Sequence, residues 1–240
     1  MRISRVAVDT RWRRRGVATS LYQTMRKYAL GEYTFLSSSF AFQSSSLPFW
    51  QSLGALPVAL GMRLDKASGA RSMLVVDSID ASMHSAQCKL ALQLAGNLRY
   101  WCPRFFPEMA DSDIHRLQGF SDSYESSAGE STSTAGEFDL VTLQRFANGE
   151  LDASLALPAL ARVLAPWPAN STPVLEREPP TAQLLGILQA CVAIAPDWGA
   201  LANELGCSGL RAVQRALREA VREWLESFSK SLQSGRAQQD

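Results

Sequence analysis

The stretch SRVAVDTRWRRRGVATSL, residues 4–21, decides how this chain is read. Residues 2–8 alternate well enough to form a strand, with Ile3 and the run Val6–Val8 as its apolar content. From Gly16 to Leu30 the residues Val17, Leu21 and Met25, with Tyr28, recur at helical spacing, and Gly31 supplies a stop. Between strand and helix stand Arg11, Arg13, Arg14 and Arg15, immediately before Gly16. A strand, a loop of donors and a glycine at the first turn of a helix make a recipe for binding phosphate. N–H groups at a helix start have no intrahelical partner, and the helix dipole adds positive charge there. Gly16 and Ala18 lack bulk, so a pyrophosphate can approach the backbone, and Arg13–Arg15 add charge-assisted contacts.

Those arginines stand out because the whole chain, 240 residues long, has a formal net charge of only +1. Arg2, Arg5, Arg11, Arg13, Arg14, Arg15, Arg26 and Lys27 face only Asp9 in the amino-terminal stretch, whereas residues 108–152 are acidic and should repel nucleic acid. The length suits one medium domain plus a smaller one, or two small ones. No apolar run approaches the roughly 20 residues that cross a bilayer. The charged start is followed only by Val6–Val8 and then by arginines, unlike a secretory signal. Cys88, Cys102, Cys191 and Cys207 have no paired spacing, so neither a disulfide framework nor a zinc site is indicated, and a cytoplasmic location is expected. His84 and His115 lie beside no cysteine and in no metal-ligand spacing, so no metal centre is expected.

Outward from the arginine loop, Tyr33–Phe40 reads as a strand, Leu47–Leu53 as a short helix, and Ala55–Leu64 and Ser72–Ile79 as strands. After Asp80 only helices are expected. Ser82–Trp101 carries Leu90, Leu94 and Leu98 at steps of four, with a break at Cys102 and Pro103, and Asp111–Tyr124 follows. ESSAGESTSTAG, residues 125–136, reads as a linker. Helices are expected again at Glu137–Ala147 and Ala153–Leu164. Pro166–Pro180 reads as a stiffer linker, and Thr181–Ala195, Trp198–Leu205 and Leu210–Leu232 as a closing helical block. The expected fold class is therefore α/β followed by an all-α region.

Several stretches carry a family resemblance. Arg13-x-x-Gly16-x-Ala18, directly after a strand, resembles the acetyl-CoA pyrophosphate motif of GNAT acetyltransferases. RISRVAV before it, FLSSSFAFQ and FWQSLGA after it, and LGMRLDKASGARSML beyond resemble the bacterial tRNA(Met) cytidine acetyltransferases over about residues 2–80. LPALARVL at 157–164 is similar to part of that family's carboxy-terminal tail.

The resemblance implies transfer of acetyl from acetyl-CoA to N4 of the wobble cytidine of elongator tRNA(Met), with ATP or GTP hydrolysed by a helicase-like module. It implies cofactor binding by the backbone of Val6, Ala7 and Val8, and by the loop Arg13, Arg14, Arg15, Gly16, Val17, Ala18 and Thr19. No catalytic residue is assigned. Nothing matches G-x-x-x-x-G-K-S/T, so the ATP-binding module is expected to be missing here, and a GNAT sheet normally has strands before the one on which this chain begins. Ser45 and Ser52 stand where the family would bring an acid and an arginine to the cofactor site. The expectation is a partial, amino-terminally truncated GNAT domain with a helical extension at 1–125, a linker at 126–136 and a helical tail at 137–240. A separately encoded helicase-like half would be a partner, alongside tRNA and acetyl-CoA and with no membrane.

Other readings stand beside this one. The chain could be a noncatalytic RNA-binding or assembly module, or a GNAT enzyme that acetylates a small amine or a protein. Phe40, Phe42, Phe49 and Trp50 read as core aromatics rather than as base-stacking platforms, and His84 and His115 as structural or solvated. Trp198–Leu205, the turn at 206–209 and the last helix resemble a helix-turn-helix in outline. Arg211, Arg215, Arg218 and Arg222 share one face of that helix, fit for phosphate. Arg215 with Glu219 and Arg222 with Glu226 would serve as surface pairs equally well. The family's tail tips the reading toward tRNA.

Overall fold

A computed structural model describes residues 1–125, 137–164, 182–192 and 198–236. The two linkers expected at 126–136 and 166–180 lie outside the described residues. The chain divides into two compact units, Met1–Gly129 and Glu130–Asp240.

The first unit is built on one sheet of four strands: β1 Arg2–Ile3, β2 Phe35–Ala41, β3 Leu56–Leu64 and β4 Arg71–Ser78, in the order β1-β2-β4-β3. β1 runs parallel to β2, and α1, Val17–Ala29, is their crossover. β4 lies antiparallel between β2 and β3. The burial of Met73, Val75 and Asp77 on alternate residues of β4 gives one covered face, which continues through Leu36 and Ser38 of β2 and Ile3 of β1. The strand expected at residues 2–8 is thus shorter than its sequence suggests. Its ladder ends at Ile3↔Ser38, and residues 4–8 continue without a partner strand, which extended backbone needs to register as a ladder.

α2, Leu47–Ser52, drops Leu47 and Trp50 into the core. At one point β3 and β4 approach so closely that only glycine fits: a Cβ on Gly61 would lie 2.5 Å from Ser72 Oγ and 3.3 Å from Ser72 N. α3, His84–Phe105, is joined to the sheet by the buried Gln87. Its Oε1 accepts from Ser78 N at 3.2 Å and Ser78 Oγ at 2.7 Å, and its Nε2 donates to Gly54 O at 2.9 Å and Val76 O at 2.7 Å.

α3 runs through the expected break at Cys102 and Pro103. Pro103 lies in the last turn, so the bond its missing N–H removes is lost only just before the helix ends, and the helix end is held from outside. Buried Arg71 donates to Phe105 O at 3.0 Å, to Met62 O at 2.6 Å and to Glu108 Oε1 at 2.7 Å, with its guanidinium 4.0 Å from the Phe106 ring centroid. α4, Asp111–Glu125, completes the described part of this unit.

The second unit is helical in its described residues: α5 Glu137–Ala147, α6 Ala153–Leu164, α7 Ala182–Val192, α8 Trp198–Glu204 and α9 Leu210–Arg236. Val213, Leu217, Val221 and Trp224 recur every three or four residues along α9 and are buried. They meet a core that includes Leu143, Phe146, Leu160 and Leu188. Asp139 of α5 accepts from Arg162 of α6 through both carboxylate oxygens, at 2.9 and 2.6 Å, and locks that pair of helices.

Candidate functional site

The arginine loop begins with a cap. Asp9 Oδ1 accepts from Arg11 N at 3.0 Å and Arg11 Nε at 3.0 Å, which starts a 3-10 turn over Thr10–Trp12. Those bonds, the side-chain one first, hold the Asp9 carboxyl below its ordinary range. Arg11 is therefore engaged within the loop. Arg13 turns back, its Nε donating to Val8 O at 3.1 Å, and the Arg15 guanidinium lies 5.2 Å from the Trp12 ring centroid. Arg14 takes the left-handed conformation with φ of 59°, and Gly16 does so with φ of 77°.

Gly16 is the N-cap of α1 and lends no side chain to it. The first bond of the helix runs from Ser20 N to Gly16 O at 2.9 Å. The N–H groups of Val17, Ala18 and Thr19 thus have no acceptor among the described residues. Nothing lies within 4 Å of where a Gly16 Cβ would stand. The loop is an open cradle of donors, flanked by exposed arginine side chains.

Beside it run Val6, Ala7 and Val8. Ser37 N donates to Met1 O at 3.0 Å and Ser38 Oγ to Ile3 O at 3.0 Å. Past these bonds β1 and β2 share no ladder, and the N–H groups of Val6–Val8 have no partner among the described residues. Loop, free backbone and the end of β2 gather at the carboxyl ends of two parallel strands, the place where open α/β sheets receive ligands.

Of the aromatic residues expected in the core, Trp50 is buried, while Phe40, Phe42 and Phe49 are half-buried. Trp50 is 6% exposed, stacked on Phe40 with centroids 5.6 Å apart, and edge-on to Phe49 at 5.2 Å and to Tyr22 at 6.3 Å. Tyr22 donates to Asp77 Oδ2 at 2.8 Å, and burial first, then this bond, raises its phenol far above the usual value. Burial also raises the thiols of Cys102, to about 11, and Cys191, to about 12, so neither is a thiolate nucleophile at neutral pH. Among the described residues no group of His, Cys, Asp and Glu gathers to hold a metal ion, and no helix is long and apolar enough to cross a membrane.

In the second unit the four arginines of α9 divide. Arg218 donates to Leu151 O at 3.3 Å and lies 5.4 Å from the Phe146 ring centroid. Arg222 donates to Ala147 O at 2.5 Å. Arg211 and Arg215 are exposed, with no partner among the described residues. Neither of the alternative surface pairs, Arg215 with Glu219 or Arg222 with Glu226, forms among the described residues, and Arg222 instead reaches a carbonyl at the end of α5.

No protein-family profile matches the chain. Curated proteins do. The tRNA(Met) cytidine acetyltransferase TmcA of Haemophilus influenzae is 27% identical over 68% of this chain and 22% of its own length. That of Vibrio cholerae is 23% identical over 92% of this chain and 28% of its own length. That of Nitrosococcus halophilus is 35% identical over 34% of this chain. The chain is thus similar, at 23–29% identity over up to 92% of its length, to several tRNA(Met) cytidine acetyltransferases. It spans about a quarter of the length of the first relatives it matches. The sheet and its helices are consistent with part of a GNAT fold.

An acid and an arginine reach the loop after β2 by a route the sequence does not announce. Ser44 Oγ donates to Asp113 Oδ1 in a short hydrogen bond, and Arg116 NH1 donates to Ser44 O at 3.1 Å. Both partners come from α4, not from the neighbourhood of Ser45 and Ser52. Positions 44 and 113 are 69 residues apart, and nothing local in either stretch signals the contact. His84 and His115 engage within their own helices, with Cys88 Sγ at 3.6 Å and with Asp111 O at 2.7 Å.

Proposed function

We propose that this chain binds acetyl-CoA at the arginine loop and serves the acetylation of N4 of the wobble cytidine in elongator tRNA(Met), in the cytoplasm. The observation that carries the reading is the start of α1: three adjacent N–H groups without acceptors among the described residues, behind a glycine with φ of 77° and open space where a side chain would be. That cradle fits a pyrophosphate, and the exposed Arg14 and Arg15 supply charge to hold it. The names of the relatives supply the transferred group and the acceptor RNA.

Within this reading the chain's own groups divide the work. Val17, Ala18 and Thr19 donate to the pyrophosphate through their N–H groups. Arg13 ties the loop to Val8 and so fixes the cradle relative to the free backbone of Val6–Val8. That backbone offers donors along the cofactor's acyl end, where hydrogen bonds to a carbonyl oxygen favour acyl transfer. Acetyl-CoA supplies the activated acetyl group as a thioester. Cytidine N4 is a weak nucleophile, so positioning of the RNA contributes more than a strong base would. Arg211 and Arg215 are the RNA contacts of the second unit, while Arg218 and Arg222 chiefly hold the helix bearing them.

The test is calorimetric titration of the full chain with acetyl-CoA. Wild type should bind saturably. Gly16→Val, which forces a β-branched residue into a left-handed conformation, and Arg14→Glu, which changes only an exposed side chain, should each weaken binding by about tenfold or more. Undiminished binding by Arg14→Glu and Gly16→Val together, or no binding by wild type, removes the loop as a cofactor site. With binding in hand, transfer of labelled acetyl to a tRNA(Met) transcript decides whether the chain acts alone.

A further inference from the structure

α1 and α3 flank the sheet from opposite sides. Tyr22 of α1 donates to Asp77 at 2.8 Å, on the face that also buries Met73 and Val75. Leu56 pairs with Val76, on the alternate face, and packs there with Cys88 and Ala91 of α3. The cradle at the start of α1 thus belongs to one face. α4 packs on α3 and comes to the loop after β2 from the other. A cofactor entering from the α1 side leaves its carbonyl carbon to be met by an acceptor from the α4 side.

On that side stands a carboxylate held by a serine. Phe42 N donates to Arg71 O at 2.7 Å, so β2 keeps its direction past Ala41. Counting on from the pairing Ile3↔Ser38 sets Val8 level with Gln43, and Ser44 just beyond. Ser44 Oγ donates to Asp113 Oδ1, and Ser44 O accepts from Arg116 Nη1 at 3.1 Å. Ser44 and Asp113 are half-buried. Asp113 Oδ2 has no partner among the described residues, and Asp113 forms no ion pair there. The charged group facing the pair is Arg116, from the same helix. The loop at 42–46 carries no charge, and Arg71 and Glu108 beside the end of α3 are paired with each other.

We infer that Asp113 is the proton acceptor of acetyl transfer, with Ser44 and Arg116 as the groups that position it. The inference rests on the acetyl-transfer reading above. The acceptor's amino nitrogen attacks the thioester carbon and forms the C–N bond while the C=O π electrons move to oxygen. Asp113 Oδ2 takes the proton that this nitrogen sheds. The adduct then collapses, the C–S bond breaks, and CoA leaves as a thiolate that takes up a proton from solvent, to which Asp113 returns its own. A carboxylate is a weak base, and it suffices because the nitrogen becomes acidic as the new bond forms. Ser44 occupies Oδ1 and leaves Oδ2 for the proton, while Arg116 pins the serine through its carbonyl.

The full chain is assayed for transfer of labelled acetyl from saturating acetyl-CoA to a tRNA(Met) transcript across a pH series, with calorimetry of acetyl-CoA binding for each variant. Asp113→Asn should lower the rate about 100-fold or more at neutral pH and bind acetyl-CoA within about twofold of wild type. The wild-type log rate should fall with unit slope on the acid side, where one carboxylate takes up a proton, and Asp113→Asn should lack that limb. Asp113→Glu keeps the carboxylate and should recover about tenfold over Asp113→Asn. With acetyl-CoA binding intact, the inference alone is overturned if Asp113→Asn keeps the wild-type rate or the acid limb, if Asp113→Glu recovers nothing, or if wild type transfers nothing to the transcript. Loss of acetyl-CoA binding by Asp113→Asn overturns it in favour of a purely structural role for the contact. A wild-type chain that binds no acetyl-CoA removes the cofactor reading itself, and the inference with it.

Discussion

Gly16 joins conformation to function at a single residue. Its φ of 77° is one that side chains resist, yet nothing within 4 Å obstructs a Cβ. Gly16→Ala should therefore cost about 1 kcal/mol from backbone conformation alone, without a packing term. Gly16→Asn should cost less, because asparagine visits the left-handed region more readily. Thermal unfolding of the three proteins checks that order, and equal midpoints would show that the loop does not need the conformation. Asp77 makes a second residue-scale case. It accepts from both Tyr22 and Arg26 and is itself buried. Tyr22→Phe removes one donor and should cost about 1 kcal/mol, whereas Asp77→Ala strands both donors and should cost about 2–3 kcal/mol. Denaturant melts that rank the two equally would contradict a shared acceptor.

The turn between β3 and β4 gives a prediction at the scale of elements. Asp65 Oδ1 accepts from Ala67 N at 2.8 Å, Ser68 N at 2.9 Å and Ser68 Oγ at 3.2 Å. These bonds, the Ser68 N–H first, lower the Asp65 pKa. A carboxyl depressed in the folded state stabilises above its unfolded pKa, about 3.9, and that stabilisation is lost as pH falls through the lower folded value. Wild type should melt above Asp65→Ala at pH 7, with the gap closing as pH drops below about 4. A gap independent of pH would mean that the carboxylate's charge is irrelevant to the turn.

Elements of this kind were legible because their signals are local. Periodicity gives α1 and β2 to within two residues and the described later helices to within four, and the glycine after the arginines marks the loop. Orientation was less legible. Val17, Leu21 and Met25, with Tyr28, look like a core stripe, yet Val17, Leu21 and Tyr28 are exposed, and the sheet takes Tyr22 and Ala29 instead. Spacing reports that a helix has an apolar arc, not which part of that arc its neighbours will cover. The contact of Ser44 with Asp113 joins polar residues 69 apart in sequence, and no pattern in one chain links such a pair.

At the scale of the whole molecule, the arginines of α9 separate binding from stability. Arg211 and Arg215 are exposed and have no partner among the described residues. Arg218, by contrast, rests against Phe146 and donates to Leu151 O at 3.3 Å, with its Nε buried. Phosphate contacts release counterions, so each lost arginine contact should lower the salt dependence of RNA affinity by about one in log–log slope. The double variant Arg211→Ala, Arg215→Ala should therefore bind a tRNA(Met) transcript more weakly, with a slope shallower by about two, and should melt as wild type does. Arg218→Ala should do the reverse, lowering the melting temperature through a lost charged hydrogen bond worth about 1–3 kcal/mol, with little change of slope. Filter binding across a salt series, with a thermal melt of each variant, reads both quantities. If the double variant keeps both affinity and slope, this helix does not meet RNA, and the arginine face serves only to carry charge at the surface.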